Sequence, residues 1–361
     1  MLNLLEIKIN ASGDLALANY ERLNSSSWQL HKHSPTDSAR LYSSFEEAIA
    51  KVKTFVQESF DREIVENQLY YHNHEHINNV QRRANTIFRV ICPYWQASLG
   101  NKVNPEYITR ISQLLDLCAV AHDMIQVFVP QTQFHTPRRR ETGVSERLTI
   151  EKLLNYIKDL NQQLKYCVDD SVLFTKADLS IIQDSIEATI CVYDPSDQSI
   201  YQPALYDENK NLSIVARIIA LADIGSLGMD GIASYNHEGS LLFLEENPDV
   251  IPIILNQVVK IAADNSEYEN IRQRLLRRAR FQVNFAKSRL QRYSQEISSF
   301  PSDAILTLTN ETFQYLNPEI IQEIELTTPT NENTSLEELM VFFNLEELIK
   351  TFNYFEDKSL F

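Results

Sequence analysis

Glycine and cysteine are both scarce in this chain. Only seven of its 361 residues are glycine, which argues against a glycine-rich β architecture or a glycine-rich dinucleotide-binding fold. The four cysteines form no CxxC pair and no dense framework; they are Cys92, Cys118, Cys167 and Cys191. This spacing does not fit a disulfide scaffold, and it favours a reducing compartment.

The sequence also lacks a long uninterrupted apolar run. The segment Met1–Glu6 has neither the basic start nor the apolar stretch of a signal peptide. The most apolar helical run, from Ile214 to Leu227, contains Arg217 and Asp223. We therefore expect a cytoplasmic protein that does not associate with membranes.

Basic residues are fewer than acidic residues in this chain. There are 33 basic and 49 acidic residues, which gives a formal net charge of −16. Most of such a surface repels a nucleic acid polymer, whereas a small phosphorylated molecule can still bind where a metal or a local cation cancels the field. With 43% hydrophobic residues, the chain can bury a sizeable core.

Helical periodicity dominates what is present, and the sequence predicts an all-α fold. Residues 1–40 form an N-terminal extension with one strand-like segment, Leu5–Ile9, and residues 41–300 form the main helical domain. Residues 301–361 form a C-terminal helical extension. In it, a polar link, Thr327–Thr334, precedes an amphipathic helix, Leu336–Tyr354. That helix packs on the domain or on a second subunit, so a homo-oligomer is one of the expectations.

Two predicted helices carry histidines at their ends. Asn73 is a candidate N-cap for a helix that has His76 in its first turn and that we expect to end near Pro93. Asn104-Pro105 is typical of another helix start. The apolar face of that second helix leads to His122.

Histidines and aspartates then group in a pattern typical of a metal site. Three of the eight histidines fall within Tyr71-His72-Asn73-His74-Glu75-His76, a His122-Asp123 pair follows, and Asp223 lies in an apolar helical run. A buried carboxylate requires a partner, and imidazole with carboxylate is a ligand set that divalent ions accept. The predicted ligands are His76, His122, Asp123 and Asp223, holding one divalent ion: Mn, Ni, Zn, Fe or Mg.

A loop between these ligands, Val127–Thr142, contains Arg138, Arg139 and Arg140. Two interpretations are open: a solvated charge run, or a clamp for substrate phosphate, since arginine offers planar paired donors. Glu141 and Glu146 flank the next helix start and are candidates for holding water or a ligand histidine.

The order His76, His122-Asp123, Asp223 resembles the HD-domain superfamily of metal-dependent phosphohydrolases. The segment Tyr71-His72-Asn73-x-x-His76 is also similar to the opening of the metal site in cyclic nucleotide phosphodiesterases, which share the HD core. The resemblance covers about residues 45–295 and implies an HD-type helical bundle. It also implies that His72 donates a proton to the leaving group while His76 binds the metal.

Two departures from the phosphodiesterase pattern stand out. Gln126 occupies the position of a further histidine, and only His135 lies between Asp123 and Asp223; the resemblance then implies one metal rather than two. The stretch Glu141–Glu146 resembles the Glu-and-Ser motif of uncharacterised bacterial HD hydrolases of the Tyr-His-Asn type.

The expected function is hydrolysis of a phosphate ester, such as a nucleotide or a small phosphorylated metabolite. In this hypothesis the ion activates water. The expected catalytic residues are His72, Glu141 and Glu146, and the expected substrate-binding residues are Asn73, Arg138, Arg139 and Arg140. The alternatives are a non-catalytic regulatory HD protein that binds nucleotide or metal, and a helical scaffold in which the metal is structural.

Overall fold

A computed structural model describes residues 44–100, 104–131, 133, 136–165, 169–207, 210–255 and 266–358, the last six by their backbone only. The predicted N-terminal extension, residues 1–40, lies outside this part of the chain.

The described residues are mostly helical. The helices are α1 (Phe45–Asn67), α2 (His74–Leu99), α3 (Pro105–Ala121), α4 (Val144–Leu164), α5 (Lys176–Glu187), α6 (Ile214–Asp223), α7 (Ser226–Glu246), α8 (Val250–Leu255), α9 (Ser266–Glu296), α10 (Ser302–Thr307), α11 (Pro318–Thr327), α12 (Leu336–Phe342) and α13 (Leu345–Lys358). Short 3-10 turns cover Asp170–Val172 and Pro203–Tyr206, and a π-turn covers Leu308–Thr312. The all-α prediction is confirmed at this level.

A small antiparallel hairpin interrupts the helices of this otherwise all-α fold. Its strands are β1 (Val192–Asp194) and β2 (Ser199–Tyr201), with Val192 opposite Tyr201. Arg292 of α9 donates hydrogen bonds of 2.6 Å to Asp194 and to Asp197 of the turn. The turn is thus held by a distant cation, which short-range sequence pattern cannot indicate.

Side-chain caps start several of the helices, and those at Asn73 and Asn104 are the ones that the sequence predicts. Ser44 accepts from Glu47 N at 3.3 Å, Asn73 from His76 N at 3.1 Å, and Asn104 from Glu106 N at 3.0 Å. Thr175 and Asp178 form a reciprocal capping box at α5. These caps satisfy N–H groups that have no partner inside the helix.

Helix α2 continues through Pro93 to Leu99, so the predicted end at Pro93 is wrong. Pro93 lies on the exposed side of the helix, as does Arg89, whose carbonyl loses its i+4 donor to the proline. Trp95 packs against Phe88 and Tyr107 with ring centroids 6.5 and 6.2 Å apart. This packing holds the final turns of the helix.

The core is centred on α2, α3 and α6, which pack on one another. Helix α6 is buried over almost its whole circumference, from Val215 to Ala222. It therefore delivers its last residue, Asp223, to the centre of the protein. The start of α2 and the end of α3 lie at the same place, and so do the histidines that they carry.

A second apolar cluster joins the C-terminal helices to the C-terminal end of α7 and to the N-terminal half of α9. The predicted single helix Leu336–Tyr354 is divided into α12 and α13 at Phe343-Asn344, where Asn344 has a φ of 49°. The division allows Phe343 to stack on Phe243 of α7, with ring centroids 6.2 Å apart. The C-terminal helices thus pack on the helix whose end contacts His72.

The segment between α11 and α12, predicted to be a flexible link, is held against α9. Arg272 donates to the carbonyls of Glu332 and Thr334 at 2.7 and 3.0 Å, and Arg280 donates to the carbonyl of Thr330 at 3.0 Å.

Among the described residues, none of the helices combines the length and the apolar composition that crossing a membrane requires.

Candidate metal centre

Four side chains from three helices converge at the centre of the fold. His76 lies in the first turn of α2, His122 caps the end of α3, Asp123 follows it, and Asp223 ends α6. One ligand atom from each lies within 4.8 Å of the other three. The structure thus brings together the four residues predicted as metal ligands.

The distances between the nitrogen and oxygen atoms of these four side chains are short. His76 Nε2 lies 3.3 Å from His122 Nε2 and 3.1 Å from Asp123 Oδ2. His122 Nε2 lies 2.9 Å from Asp123 Oδ2. Asp223 Oδ1 lies 3.6 Å from each of the two imidazole nitrogens.

These separations fit ligands that share one ion. Two atoms bound about 2.1 Å from the same ion are roughly 3.0 Å apart at a right angle and roughly 3.4 Å apart at the tetrahedral angle. The five distances above fall between 2.9 and 3.6 Å. Two imidazole nitrogens and two carboxylate oxygens also form a donor set suited to several first-row divalent ions.

The backbone fixes His122 in the tautomer that a metal requires. His122 Nδ1 lies 2.9 Å from the carbonyl of Ala119 and donates to it, which leaves Nε2 with a free lone pair. His76 Nδ1 is buried without a hydrogen-bond partner among the described residues. Its ring is held instead against Tyr71, with the centroids 4.4 Å apart.

A glutamine amide holds the outer oxygen of each carboxylate. Gln126 Nε2 donates to Asp123 Oδ1 at 3.0 Å, and Gln202 Nε2 donates to Asp223 Oδ2 at 3.2 Å. Asp123 Oδ2 and Asp223 Oδ1 are left to face the histidines. Such outer contacts orient ligands and tune the ion. Gln126, which occupies the position of a histidine in the phosphodiesterase pattern, thus holds a candidate ligand.

The two carboxylates attract positive charge strongly. Burial alone would lower the pKa of His122, but Asp123 and Asp223 raise that pKa well above its usual value. Burial opposes ionisation of Asp123, and nearby His122 and His72 still hold the pKa of that carboxyl well below its usual range. A divalent cation would replace the proton at the same place.

His72 lies beside this cluster without belonging to it. It is 3% exposed, and its Nε2 is 3.8 Å from Asp123 Oδ2. Its Nδ1 lies 2.5 Å from Glu245 Oε1, and Arg140 donates to Nε2 at 3.0 Å. The neutral ring therefore carries its proton on Nδ1, and the Nε2 edge faces the metal side.

Glu245, at the end of α7, organises the loop that contains His72. Its Oε2 accepts the backbone N–H groups of Tyr70, Tyr71 and His72 at 3.1, 2.9 and 3.0 Å. Burial disfavours a charged Glu245, but His72, Arg140 and these N–H groups outweigh it and lower its pKa to about 2. Glu245 is therefore ionised near neutral pH.

The three predicted phosphate-binding arginines are placed in three different ways. Arg138 donates to the carbonyls of Glu245, Asn67 and Gln68 at 2.5, 2.7 and 2.9 Å, so its guanidinium holds backbone rather than substrate. Arg139 makes no side-chain hydrogen bond or ion pair with any other described residue.

Arg140 is the one of the three that touches the site. It donates to His72 and, at 2.6 Å, to Gln126 Oε1. Through Gln126 it is connected to Asp123, and through His72 to Glu245. Arg140 therefore connects Gln126 with His72. A phosphate bound next to a metal at this site would contact its guanidinium.

Glu146 and Glu141 lie on the wall of the cavity in front of the cluster. Burial and the nearby carboxylates of Asp123 and Asp223 raise the pKa of Glu146, which suits a group that exchanges a proton.

Asn73 does not line this cavity. Its amide caps α2 and donates to the carbonyl of Tyr70 at 2.6 Å, so both polar ends of the side chain have partners within the protein.

The cavity has a volume of about 600 Å³, which is the size of a small-molecule site. Its lining contains six arginines and seven carboxylates, and it contains no lysine. A bound divalent ion changes this formal balance from net negative to net positive. An anionic ligand then becomes favourable in a protein whose overall charge is −16.

Sequence reasoning missed several residues of this site. Glu245 and Gln202 contact residues of the predicted site from positions 173 and 21 residues away. Arg277 and Arg278 line the cavity from α9, and none of the predicted site residues lies on this helix. In the sequence, Glu245 belongs to an ordinary acidic helix end, and no local pattern distinguishes it.

Comparisons with protein-family models, with curated proteins and with solved structures found no match to this chain. The resemblance to HD-domain hydrolases therefore rests on the residues of the site.

Proposed function

We propose that the protein is a metal-dependent phosphohydrolase of the HD type that acts on a phosphate ester. The observation that supports this most strongly is the position of His72. A metal-ligand cluster alone fits a structural site equally well. Here, however, a histidine outside the ligand set is held by a buried carboxylate, with its Nε2 directed toward the cluster.

The ion would bind at His76, His122, Asp123 and Asp223, where it supplies an activated water and polarises a phosphoryl oxygen. Arg140 lies next to this position and can neutralise phosphate charge. Glu146, which lines the same cavity and whose pKa is raised, would accept a proton from the attacking water.

His72 serves as the general acid. Water oxygen forms the new bond to phosphorus, the bond to the ester oxygen breaks, and a proton from His72 Nε2 passes to that oxygen. Glu245 keeps Nδ1 protonated and stabilises the charged ring before the transfer. When substrate phosphate binds Arg140, it draws this donor away from Nε2, and Nε2 becomes able to carry the proton.

One observation favours a second candidate, a regulatory protein that binds nucleotide but does not hydrolyse it. In the structure Arg140 donates to the lone pair of His72 Nε2. If Arg140 stays there when ligand is bound, His72 cannot carry a proton on that nitrogen. The two candidates therefore differ in whether His72 is needed for turnover.

The first experiment measures metal content in the wild type, in Asp123→Asn and in the control Asp159→Asn. Asp159 is an exposed carboxylate on α4 without a partner among the described residues. We expect about one divalent ion per chain in the wild type and the control and loss of that ion in Asp123→Asn, by mass spectrometry. Metal-free protein in all three, after reloading with Mn, Ni or Zn, would refute the proposal.

The second experiment measures hydrolysis of phosphomonoesters and phosphodiesters by the metal-loaded wild type and by His72→Gln. We expect His72→Gln to retain the metal and to lose about 10²-fold or more in kcat. Full activity in His72→Gln would exclude the proposed acid, and absence of activity in the metal-loaded wild type would favour the regulatory candidate.

A further inference from the structure

One face of α9 forms a wall of the cavity. The lining residues on this helix are Arg274, Arg277, Arg278, Phe281, Gln282 and Phe285. Their spacing of three or four residues places them along one side of the helix. None of them hydrogen-bonds or pairs with the four metal-ligand side chains, so this wall is separate from the metal centre.

The arginines on this face differ in their partners. Arg274 is buried and donates twice to Asp249, at 2.9 Å each, so its role is structural. Arg277 is exposed to the cavity, and its side chain makes no hydrogen bond or ion pair within the described residues. Arg278 donates one N–H to the carbonyl of Gly239 at 3.2 Å and lies 4.0 Å from Glu246. Arg277 and Arg278 therefore retain free donors.

Aromatic rings continue the wall beyond these arginines. Arg278 lies 5.4 Å from the ring centroid of Phe281, Phe281 lies 6.1 Å from Phe285, and Phe285 lies 6.2 Å from Tyr235 of α7. The last two pairs are stacked at interplanar angles of 10° and 18°. The wall thus offers a flat apolar surface with cations at one end.

We propose that Arg277 and Arg278 form a second anion-binding subsite, and that the ligand carries two phosphate groups and an aromatic body. This inference rests on the proposed function, in which the first phosphate lies at the metal. The cavity volume of about 600 Å³ is far larger than a single phosphate requires. Arginine recognises phosphate through paired, planar N–H donors, and the second phosphate would engage them on Arg277 and Arg278.

The test compares the affinity of two probes that differ by one phosphate, adenosine 3′,5′-bisphosphate and adenosine 5′-monophosphate. Calorimetry is carried out with Mn²⁺ present in the His72→Gln background, so that turnover does not interfere. Three proteins are compared: His72→Gln alone, His72→Gln with both Arg277→Gln and Arg278→Gln, and His72→Gln with the control substitution Arg89→Gln. Arg89 is an exposed arginine on α2 that does not line the cavity.

We expect the bisphosphate to bind about tenfold or more tightly than the monophosphate, as two charge-assisted contacts imply. The double variant should lose this preference, and the control should keep it. Equal affinity of the two probes, absence of binding by both, or a preference that survives in the double variant would overturn the inference. Because binding is measured without turnover, a failure of the proposed hydrolysis remains distinguishable from a failure of this subsite.

Discussion

The geometry of His72 depends on Glu245. This carboxylate is 1% exposed and accepts three consecutive backbone N–H groups as well as the imidazole Nδ1–H. A buried charge is tolerated only when it is satisfied in this way. One side chain therefore fixes both the loop conformation and the tautomer of the proposed proton donor.

Replacing this charge should produce a pH-dependent loss of stability. The pKa of Glu245 falls from an ordinary 4.5 to about 2 on folding, so its ionised form stabilises the native state by about 3 kcal/mol near neutral pH. That contribution is complete above pH 4.5 and disappears as the pH falls toward about 2. Glu245→Gln should therefore be less stable than the wild type by about 3 kcal/mol at pH 7.

Urea unfolding of the two proteins between pH 7 and pH 2.5 measures this difference. The gap in free energy of unfolding should narrow as the pH falls below about 4.5. Acid-sensitive groups that do not contact Glu245 are common to both proteins and cancel. A gap that stays constant down to pH 2.5 would contradict the assigned charge.

Asn73 has two predicted roles, as a helix cap and as a substrate contact, and the structure shows the cap. Asn73→Ala removes the acceptor for His76 N and should cost about 1 kcal/mol of stability. Asn73→Ser retains an oxygen acceptor and should recover most of that loss. KM for a phosphate ester should be the same in both variants. A KM raised tenfold in both would restore Asn73 to the substrate site.

At the residue scale, the sequence indicates the candidate metal ligands better than the residues that hold those ligands in place. His76, His122, Asp123 and Asp223 are recognisable because their types are rare on apolar helix faces and because their order resembles that of HD-domain hydrolases. Gln202 and Glu245 are common residue types at helix or loop ends, and only the packing of α6 and α7 brings them to the site. Long-range contacts of this kind leave no periodic signal.

At the scale of elements, the sequence predicts helices well where a cap or a clear apolar face is present. It fails where tertiary contacts override a local rule. Pro93 continues a helix because Trp95 packs beyond it, and residues 192–201 form a hairpin because Arg292 holds its turn. In each case the deciding partner lies on another element, outside any local window.

The start of α7 illustrates a close contact between elements that tolerates no side chain. A Cβ on Gly228 would lie 2.8 Å from Cδ1 of Phe313, which is almost fully buried. Gly228 also accepts the backbone N–H of Tyr315 at 3.1 Å. Gly228→Ala should therefore cost about 1–3 kcal/mol through overpacking, although alanine favours a helix.

A double-mutant cycle with Phe313→Leu tests the origin of that cost. The smaller leucine relieves the clash, so the double variant should be more stable than the sum of the single effects by about 1 kcal/mol, as measured by urea unfolding. Additive losses would show that the contact between Gly228 and Phe313 is not the cause. The residues after α10 would then be less tightly packed on α7 than the structure indicates.

At the scale of the whole molecule, the two apolar clusters share α7 and α9. Tyr235 and Val283 belong to the main cluster, whereas Leu244 and Leu275 belong to the cluster with the C-terminal helices. The two packing regions therefore lie along the same pair of helices. The end of α7, with Glu245, lies where the C-terminal helices pack.

Phe352 of α13 provides the direct contact between the C-terminal helices and the His72 loop. Its ring lies 5.0 Å from that of Tyr70, whose backbone N–H binds Glu245. Phe342 of α12 is a matched control. It packs on the same cluster, with its ring 5.0 Å from Phe343, and it makes no ring contact with the described part of the His72 loop.

Truncation of either phenylalanine to alanine should lower the free energy of unfolding by about 1–3 kcal/mol, since both are partly buried. Only Phe352→Ala should also reduce kcat several-fold, because it frees the backbone that positions His72, while metal content stays at the wild-type level. Steady-state kinetics and metal analysis on both variants measure these effects. If kcat is unchanged in Phe352→Ala, or falls equally in both variants, the C-terminal helices stabilise the fold without acting on the proposed proton donor.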